Sequence, residues 1–177
     1  METELLGWPP DGPTLDLDHR AFSYAGKFVM TNTGKALVRE GDEIRAAAAF
    51  NEDRTDPETL WIRYITTHVE HRGRGFGTHL LRFILDRARE AGYERVRIAV
   101  NNPFAYEAAY KAGFRYTERE TGLAELVLEA TATTDRRRER YQEGLDRFRE
   151  RGLGADERDF LAAREGADPP TIRGTNR

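Results

Sequence analysis

The 177-residue chain contains no cysteine, which excludes disulfide frameworks, thiolate zinc sites, redox pairs and cysteine nucleophiles. Its chemistry is that of oxygen and nitrogen. Lysine is nearly missing as well: Lys27, Lys35 and Lys111 are the only lysines among 28 basic residues, a bias that fits genome composition better than function. No apolar run approaches the ~18 residues of a membrane helix, and residues 1–10 have neither a basic start nor a hydrophobic stretch. These absences predict a soluble, cytoplasmic protein with no membrane partner. Neither sign of charge dominates, because 28 bases stand against 31 acids for a net charge of −3. No overall field therefore draws in nucleic acid or anionic lipid.

The length suits one domain with some chain left over. Composition changes near Thr133. Residues 134–177 carry 11 arginines and 10 acids, whereas residues 1–133 carry 17 bases and 21 acids. Only 11 of the 44 tail residues are apolar, too few for a core of their own, so the expected organisation is a domain over 1–133 and a helical extension over 134–177. The extension should dock on the domain or on a partner chain. Thr134 is placed to cap a helix running to about Arg151, with Tyr141, Leu145 and Phe148 in one stripe. That stripe leaves a homodimer through this helix open. Gly152 and Gly154 break the helix, a shorter one follows over Asp156 to Glu165, and Asp168-Pro169-Pro170 begins a frayed end. In the basic run Arg136 to Arg140 acids interleave with arginines, the pattern of a solvated helix face rather than of a nucleic-acid site.

Within 1–133 strands and helices alternate. Lys35–Arg39 and Glu43–Phe50 form a hairpin about Gly41, and Leu60–Val69 is a β-branched and aromatic strand. Gly75–Ala91 is a helix with Leu81, Ile84, Leu85 and Ala88 on one face and Gly92 as its stop. Arg95–Val100 alternates as a strand with one wet face, and Asn102-Pro103 opens a helix to Ala112. Phe114–Glu118 and Leu123–Glu129 close the series as a hairpin. The order β-β-β-α-β-α-β-β predicts an α/β (α+β) domain, a mixed sheet with helices packed on it. Residues 1–34 are less regular: Leu15–Leu17 alternates like a strand, and His19–Gly26 reads as a short helix or an irregular loop.

The most specific local feature is His71-Arg72-Gly73-Arg74-Gly75-Phe76-Gly77-Thr78, between a strand and an amphipathic helix. Glycines let successive N–H groups converge while the helix N-terminus adds partial positive charge, so such a loop suits a pyrophosphate. It is neither a Walker A loop, for no lysine follows the last glycine, nor a dinucleotide fingerprint, for the spacing is G-x-G-x-G. A plain glycine-rich turn with solvated arginines is the alternative.

Arg72-x-x-Gly75-x-Gly77 after a strand resembles the R/Q-x-x-G-x-G/A signature of the GNAT N-acetyltransferase superfamily. Asn102-x-x-Ala105 followed by Gly113-Phe114 is similar to that family's next block. The resemblance covers about Lys35 to Glu129. It implies a mixed, mostly antiparallel sheet whose central parallel strands, Leu60–Val69 and Arg95–Val100, splay apart around acetyl-CoA. It further implies pyrophosphate binding by the backbone from Gly73 through Arg74, Gly75, Phe76 and Gly77 to Thr78, beside Arg72. Pantetheine would pair with the strand at Ile65, Thr66 and Thr67, with a contact from Asn102.

Acyl transfer to an amine requires a deprotonated nucleophile, a donor for the developing oxyanion and a proton for the departing thiolate. A backbone N–H at the end of the Leu60–Thr67 strand suits the second. For the third, many relatives place a tyrosine seven residues after the asparagine, where this chain has Ala109. Tyr110 follows, turned by ~100° on a helix, and Tyr106 shares its face. Either Tyr110 serves as the catalytic acid or both tyrosines pack and the proton comes from elsewhere. The basic glutamate that some relatives carry five residues before the asparagine is Arg97 here. Glu52, Asp53, His68, His71 and Glu107 are the scattered candidates for a base. The four histidines, His19, His68, His71 and His79, show no i, i+4 pair around a glutamate, so no metal is expected. The resulting expectation is an acetyl-CoA-dependent N-acetyltransferase acting on a primary amine by direct attack. A non-catalytic acyl-CoA-binding module is the rival.

Overall fold

The computed structural model describes residues 1–9, 12–132 and 136–173. Seven strands are ordered β1-β2-β3-β4-β5-β7-β6 in one sheet, mostly antiparallel with one parallel pair, and four helices accompany them. The described chain separates into two compact units, 1–96 and 97–173, each with its own core.

In the first unit β1 (Glu2–Gly7), β2 (Gly34–Glu40), β3 (Glu43–Glu52) and β4 (Thr59–Thr67) pair antiparallel in sequence order. The hairpin turns at Gly41, whose φ of 59° is left-handed and costs glycine nothing. Ala46 to Ala49 of β3 are all fully buried, which requires both faces of the sheet to be covered. α1 (Phe76–Glu90) packs on β2, β3 and β4 through a face that includes the expected Leu81, Ile84, Leu85 and Ala88. Leu15, Leu17, Phe22, Ala25 and Phe28 form a core cluster with Leu37, Ala47 and Ala49.

Two expectations are corrected here and one strand is added. β1 is a strand that the sequence pattern did not reveal. Leu15 and Leu17 are buried with Asp16 exposed between them, but the segment is not a strand, and its order comes from the Leu15 N–H donating to the Phe28 carbonyl (2.8 Å) rather than from a ladder. β4 ends at Thr67, not Val69, because Val69–His71 turn into a single 3-10 turn capped by His68 Nδ1, which accepts from the Glu70 N–H.

β5 (Arg95–Val100) runs across the boundary of the two units. The second unit further holds α2 (Pro103–Ala112), β6 (Arg115–Thr121), β7 (Glu125–Ala130), α3 (Arg138–Arg149) and α4 (Ala155–Ala162). α2 begins as expected: Asn102 Oδ1 accepts from the Ala105 N–H at 2.8 Å, and Pro103 occupies the first turn. The α3 stripe Tyr141, Leu145 and Phe148 is wholly buried, with α3 against β6 and α4. It faces inward within the unit, so it is not available as a surface for pairing with another chain. The cap expected from Thr134 lies outside the described residues, and α3 starts from Arg137 without a side-chain cap bond.

The end expected to fray is tied down as far as Arg173. Arg136 donates to the carbonyls of Phe114 (3.0 Å) and Pro170 (2.6 Å), Arg138 pairs with Asp168 (2.8 Å), and the Arg173 N–H reaches the Lys111 carbonyl (2.9 Å). Two prolines remove donors but leave carbonyls, and arginines supply the missing partners. No helix of the described residues is long and apolar enough to cross a membrane.

Candidate active site

The glycine loop is built by backbone geometry. Gly73 and Gly75 have φ of 78° and 88°, values that L side chains reach only with strain. Gly75 is also the N-cap of α1, makes no side-chain cap bond, and is followed by a first turn without an acid. An α-helix leaves its first N–H groups without intrahelical partners. At α1 this end of the helix adjoins the glycine loop, so the positive end of the helix dipole lies behind the loop.

Cations gather on the same loop. His71 lies with Nε2 against Arg45 Nη1 and with Nδ1 against Arg74 Nη1. A neutral imidazole has one acceptor nitrogen, so one of these guanidinium groups faces an N–H. Burial, followed by the charges of Arg45 and Arg74, holds the His71 pKa below the usual histidine range. Arg45 is drawn to Glu40 (3.1 Å) and Glu43 (2.8 Å), and Arg72 donates to Ser23 Oγ at 3.2 Å. The Val69 N–H, donating to the Ala21 carbonyl (2.9 Å), ties the loop to the irregular N-terminal segment. Donors therefore crowd the loop, while the Arg45 charge is shared with Glu40 and Glu43.

Ile65, Thr66 and Thr67 end β4 immediately before this loop. Ile65 and Thr67 are half-buried, whereas Thr66 is buried and its Oγ1 has no hydrogen-bond partner among the described residues. A Cβ on Gly77 would stand 3.5 Å from Thr67 Oγ1, which places the strand end beside the first turn of α1. Ile65 to Thr67 and Arg72 to Thr78 thus come together in one unit. Arg45, Ala21 and Ser23 join them and were missed. A charge between Ile44 and an alanine run was the available signal for Arg45, while the contacts of Ala21 and Ser23 have no local signature.

His68, Glu70 and His71 bring ligand atoms within 4.8 Å of one another, a cluster that an i, i+4 spacing does not reveal. The two guanidinium groups on His71 make it a poor setting for a cation.

In the second unit the site expectations fare differently. The Asn102 side chain serves as the helix cap, and its Nδ2 donates to Asn101 Oδ1 at 3.1 Å. Tyr110 is fully buried, its hydroxyl accepts from the Tyr116 N–H at 2.9 Å, and burial raises its pKa. Tyr106 beside it donates to the Tyr141 carbonyl at 2.9 Å. This placement corrects the expectation of Tyr110 as an acid: a hydroxyl without solvent exposure and already bonded to backbone is part of the packing. Glu107 is spoken for as well, accepting from the Tyr141 hydroxyl and facing Arg164 at 3.4 Å. Asp53 accepts from Trp61 Nε1 at 2.6 Å.

Residues 3–114 match the model of the family described as the acetyltransferase (GNAT) family. The chain belongs to the GNAT acetyltransferase family. The match starts well before Lys35, so it takes in β1 and the irregular segment, and it stops before the last hairpin. A Bacillus subtilis (strain 168) protein described as the uncharacterized N-acetyltransferase YsnE is 30% identical over 83 residues, 45% of this chain and 54% of that protein. The chain thus spans about half the length of that curated relative. Among solved structures, a Bacillus subtilis acetyltransferase in complex with CoA has a TM-score of 0.50 at 19% identity, covering 57% of this chain and 78% of that one. Tetrahymena GCN5 gives 0.50 at 15% identity over 62% and 75% of the two chains. At those identities the likeness is one of fold.

Proposed function

We propose that this protein transfers an acetyl group from acetyl-CoA to a primary amine by direct attack in a ternary complex. The observation that carries the reading is the uncapped, acid-free N-terminus of α1 behind two left-handed glycines. In this proposal the backbone from Gly73 to Thr78 holds the pyrophosphate, Arg72, Arg74 and Arg45 neutralise it, and Ile65 to Thr67 pair with the pantetheine arm like an added strand. The unpartnered Thr66 Oγ1 and the donor excess at His71 fit such a polar, anionic substrate. Acetyl-CoA supplies an activated acyl group, so the protein need only orient it, exclude water and accept a proton from the amine. The same proposal takes residues 1–133 as the acyl-CoA domain, 134–177 as its extension, and the cytoplasm, where acetyl-CoA is available, as its setting.

The buried Tyr110 favours one second reading, a non-catalytic acyl-CoA-binding module, because no side chain is then placed to protonate the sulfur. A thiolate of pKa ~8.5 is a tolerable leaving group near neutral pH, so transfer without a dedicated acid is chemically sound.

Acetyl-CoA at ~100 times its Kd should add ~2.7 kcal/mol of stability and raise the melting temperature by several degrees. Thiol release in the presence of amines then separates enzyme from module. Gly75→Val should abolish the thermal response, since it forces a β-branched residue to a φ of 88° and crowds the anion site. A folded Gly75→Val protein that responds to acetyl-CoA as the wild type does would overturn the loop assignment.

A further inference from the structure

A second set of cations lies apart from the glycine loop: Arg63 on β4, Arg54 in the connection from β3 to β4, and Lys27 in the segment before β2. An open groove of ≈ 560 Å³ is lined by Lys27, Arg54 and Arg63 against one carboxylate, Asp53, with Trp61 and Tyr64 as its aromatic wall. The Asp53 carboxylate is engaged from two sides, by Trp61 Nε1 (2.6 Å) and by the Thr55 N–H and hydroxyl (2.8 and 2.9 Å). Arg63 is held in position: its Nε donates to Asn51 Oδ1 at 2.7 Å, and its guanidinium carbon lies 5.1 Å from the centre of the Trp61 ring. The Asp53 carboxylate acts on the same guanidinium, whose two terminal nitrogens form the fork that suits a planar anion. Lys27 Nζ stands 5.8 Å from the Tyr64 ring centre. Tyr24, whose ring is 5.8 Å from that of Tyr64, has a φ of 61°, a left-handed backbone that a bulky residue adopts only when its surroundings impose it. With Met30, which is 48% exposed, the Trp61 and Tyr64 rings give the groove apolar surface beside its cations.

The position of the groove follows from the direction of the acyl donor. With pyrophosphate at Gly73–Thr78 and pantetheine running back along Thr67 to Ile65, the thioester points toward Tyr64 and Arg63. At ~3.3 Å per residue, Arg63 lies ~7 Å beyond Ile65 along the strand. An anionic group held by Arg63 and Lys27 would leave an amine several bonds away at the thioester.

Resting on the acetyl-transfer reading, we propose that this groove is the acceptor site and that the acceptor is an amine bearing an anionic group, a carboxylate or a phosphate, on an apolar body. The nitrogen forms the C–N bond to the acetyl carbon as the C–S bond breaks, and the proton the amine loses balances the thiolate that departs.

Four amines test this by thiol release from acetyl-CoA: 6-aminohexanoate, phosphoethanolamine, hexylamine and kanamycin. An anionic amine should show a KM about ten-fold or more below those of hexylamine and kanamycin, and the ranking of the two anionic probes distinguishes carboxylate from phosphate. Lys27→Met/Arg63→Met, both at exposed positions, should raise that KM about ten-fold or more while leaving kcat and the KM for acetyl-CoA unchanged. Equal use of hexylamine, preference for kanamycin, or an unaffected double variant overturns the proposal. If no amine is acetylated, hexanoate, which has the anion but no amine, still reads the groove by thermal shift. Protection of the wild type that is lost in the double variant keeps the anion site and places the failure in the transfer reading, whereas absence of protection overturns the anion site itself.

Discussion

At the scale of single residues, the chain uses hydrogen-bonding capacity more tightly than its composition suggests. Lys35 is fully buried, yet its ammonium donates three times, to the Met30 carbonyl (2.7 Å), the Thr33 carbonyl (2.9 Å) and Thr33 Oγ1 (2.8 Å), and burial lowers its pKa. A charge out of water is tolerable only when all its donors are met. The same accounting decides Tyr110. Its hydroxyl is the acceptor for the Tyr116 N–H, so Tyr110→Phe strands a buried backbone donor, at a cost of ~1–3 kcal/mol. The expected result is a lower urea midpoint with turnover per folded molecule unchanged. A fall of ~10²–10⁴-fold in turnover at unaltered stability would instead restore Tyr110 as the acid. Tyr106→Phe should cost less, ~0.5–1.5 kcal/mol, because the Tyr141 carbonyl has a second lone pair.

Among the elements, those legible in the sequence are those whose order is local. β5 and α2 fall where alternation and the Asn102-Pro103 start place them, and α1 carries its expected face between Gly75 and Gly92. The loop was legible because Gly73 and Gly75 sit at left-handed φ, which favours glycine, immediately before an amphipathic helix. What was not legible depends on distant partners. β1 is defined by its register on β2, Glu2 opposite Arg39 and Leu5 opposite Ala36, and Leu15 to Phe28 by the sheet face it covers. Tyr110 illustrates the limit: helix phase showed that it shares a face with Tyr106, but only packing shows that the face is buried. α3 contains a similar hidden constraint. A Cβ on Gly144 would sit 2.0 Å from the Tyr106 hydroxyl and 2.4 Å from Cζ, and Tyr106 is itself fully buried. Gly144→Ala should gain up to ~1 kcal/mol of helix propensity yet lose ~1–3 kcal/mol to overpacking. A net fall in the urea midpoint is expected, and a rise would show that the ring can yield.

For the molecule as a whole, charge is distributed by task. Residues 1–96 carry 13 bases and 16 acids, so the first unit is acidic overall, yet Arg45, Arg72 and Arg74 line the loop and Lys27, Arg54 and Arg63 the groove. Each of those two places gathers positive charge, and the attraction of such a cluster for an anion acts over about 8–10 Å at physiological salt. In the second unit charge holds the extension instead. Arg136, Arg138 and the Arg173 backbone strap residues 168–173 across α2 and the start of β6, beside a core to which α3 contributes Tyr141, Leu145 and Phe148. At ~1.5–3 kcal/mol for each large apolar side chain buried, an upper bound, those three alone compare with the ~5–15 kcal/mol of a typical domain. Deleting residues 134–177 should therefore expose Tyr106, Tyr110 and Tyr116, increase binding of a hydrophobic dye and lower the melting temperature. Phe148→Ala in the full chain should cost ~3–5 kcal/mol by the same argument. Melting curves that coincide for the full and shortened chains would mean that the extension adds nothing to the second core, and full stability of Phe148→Ala would mean that its pocket closes without it.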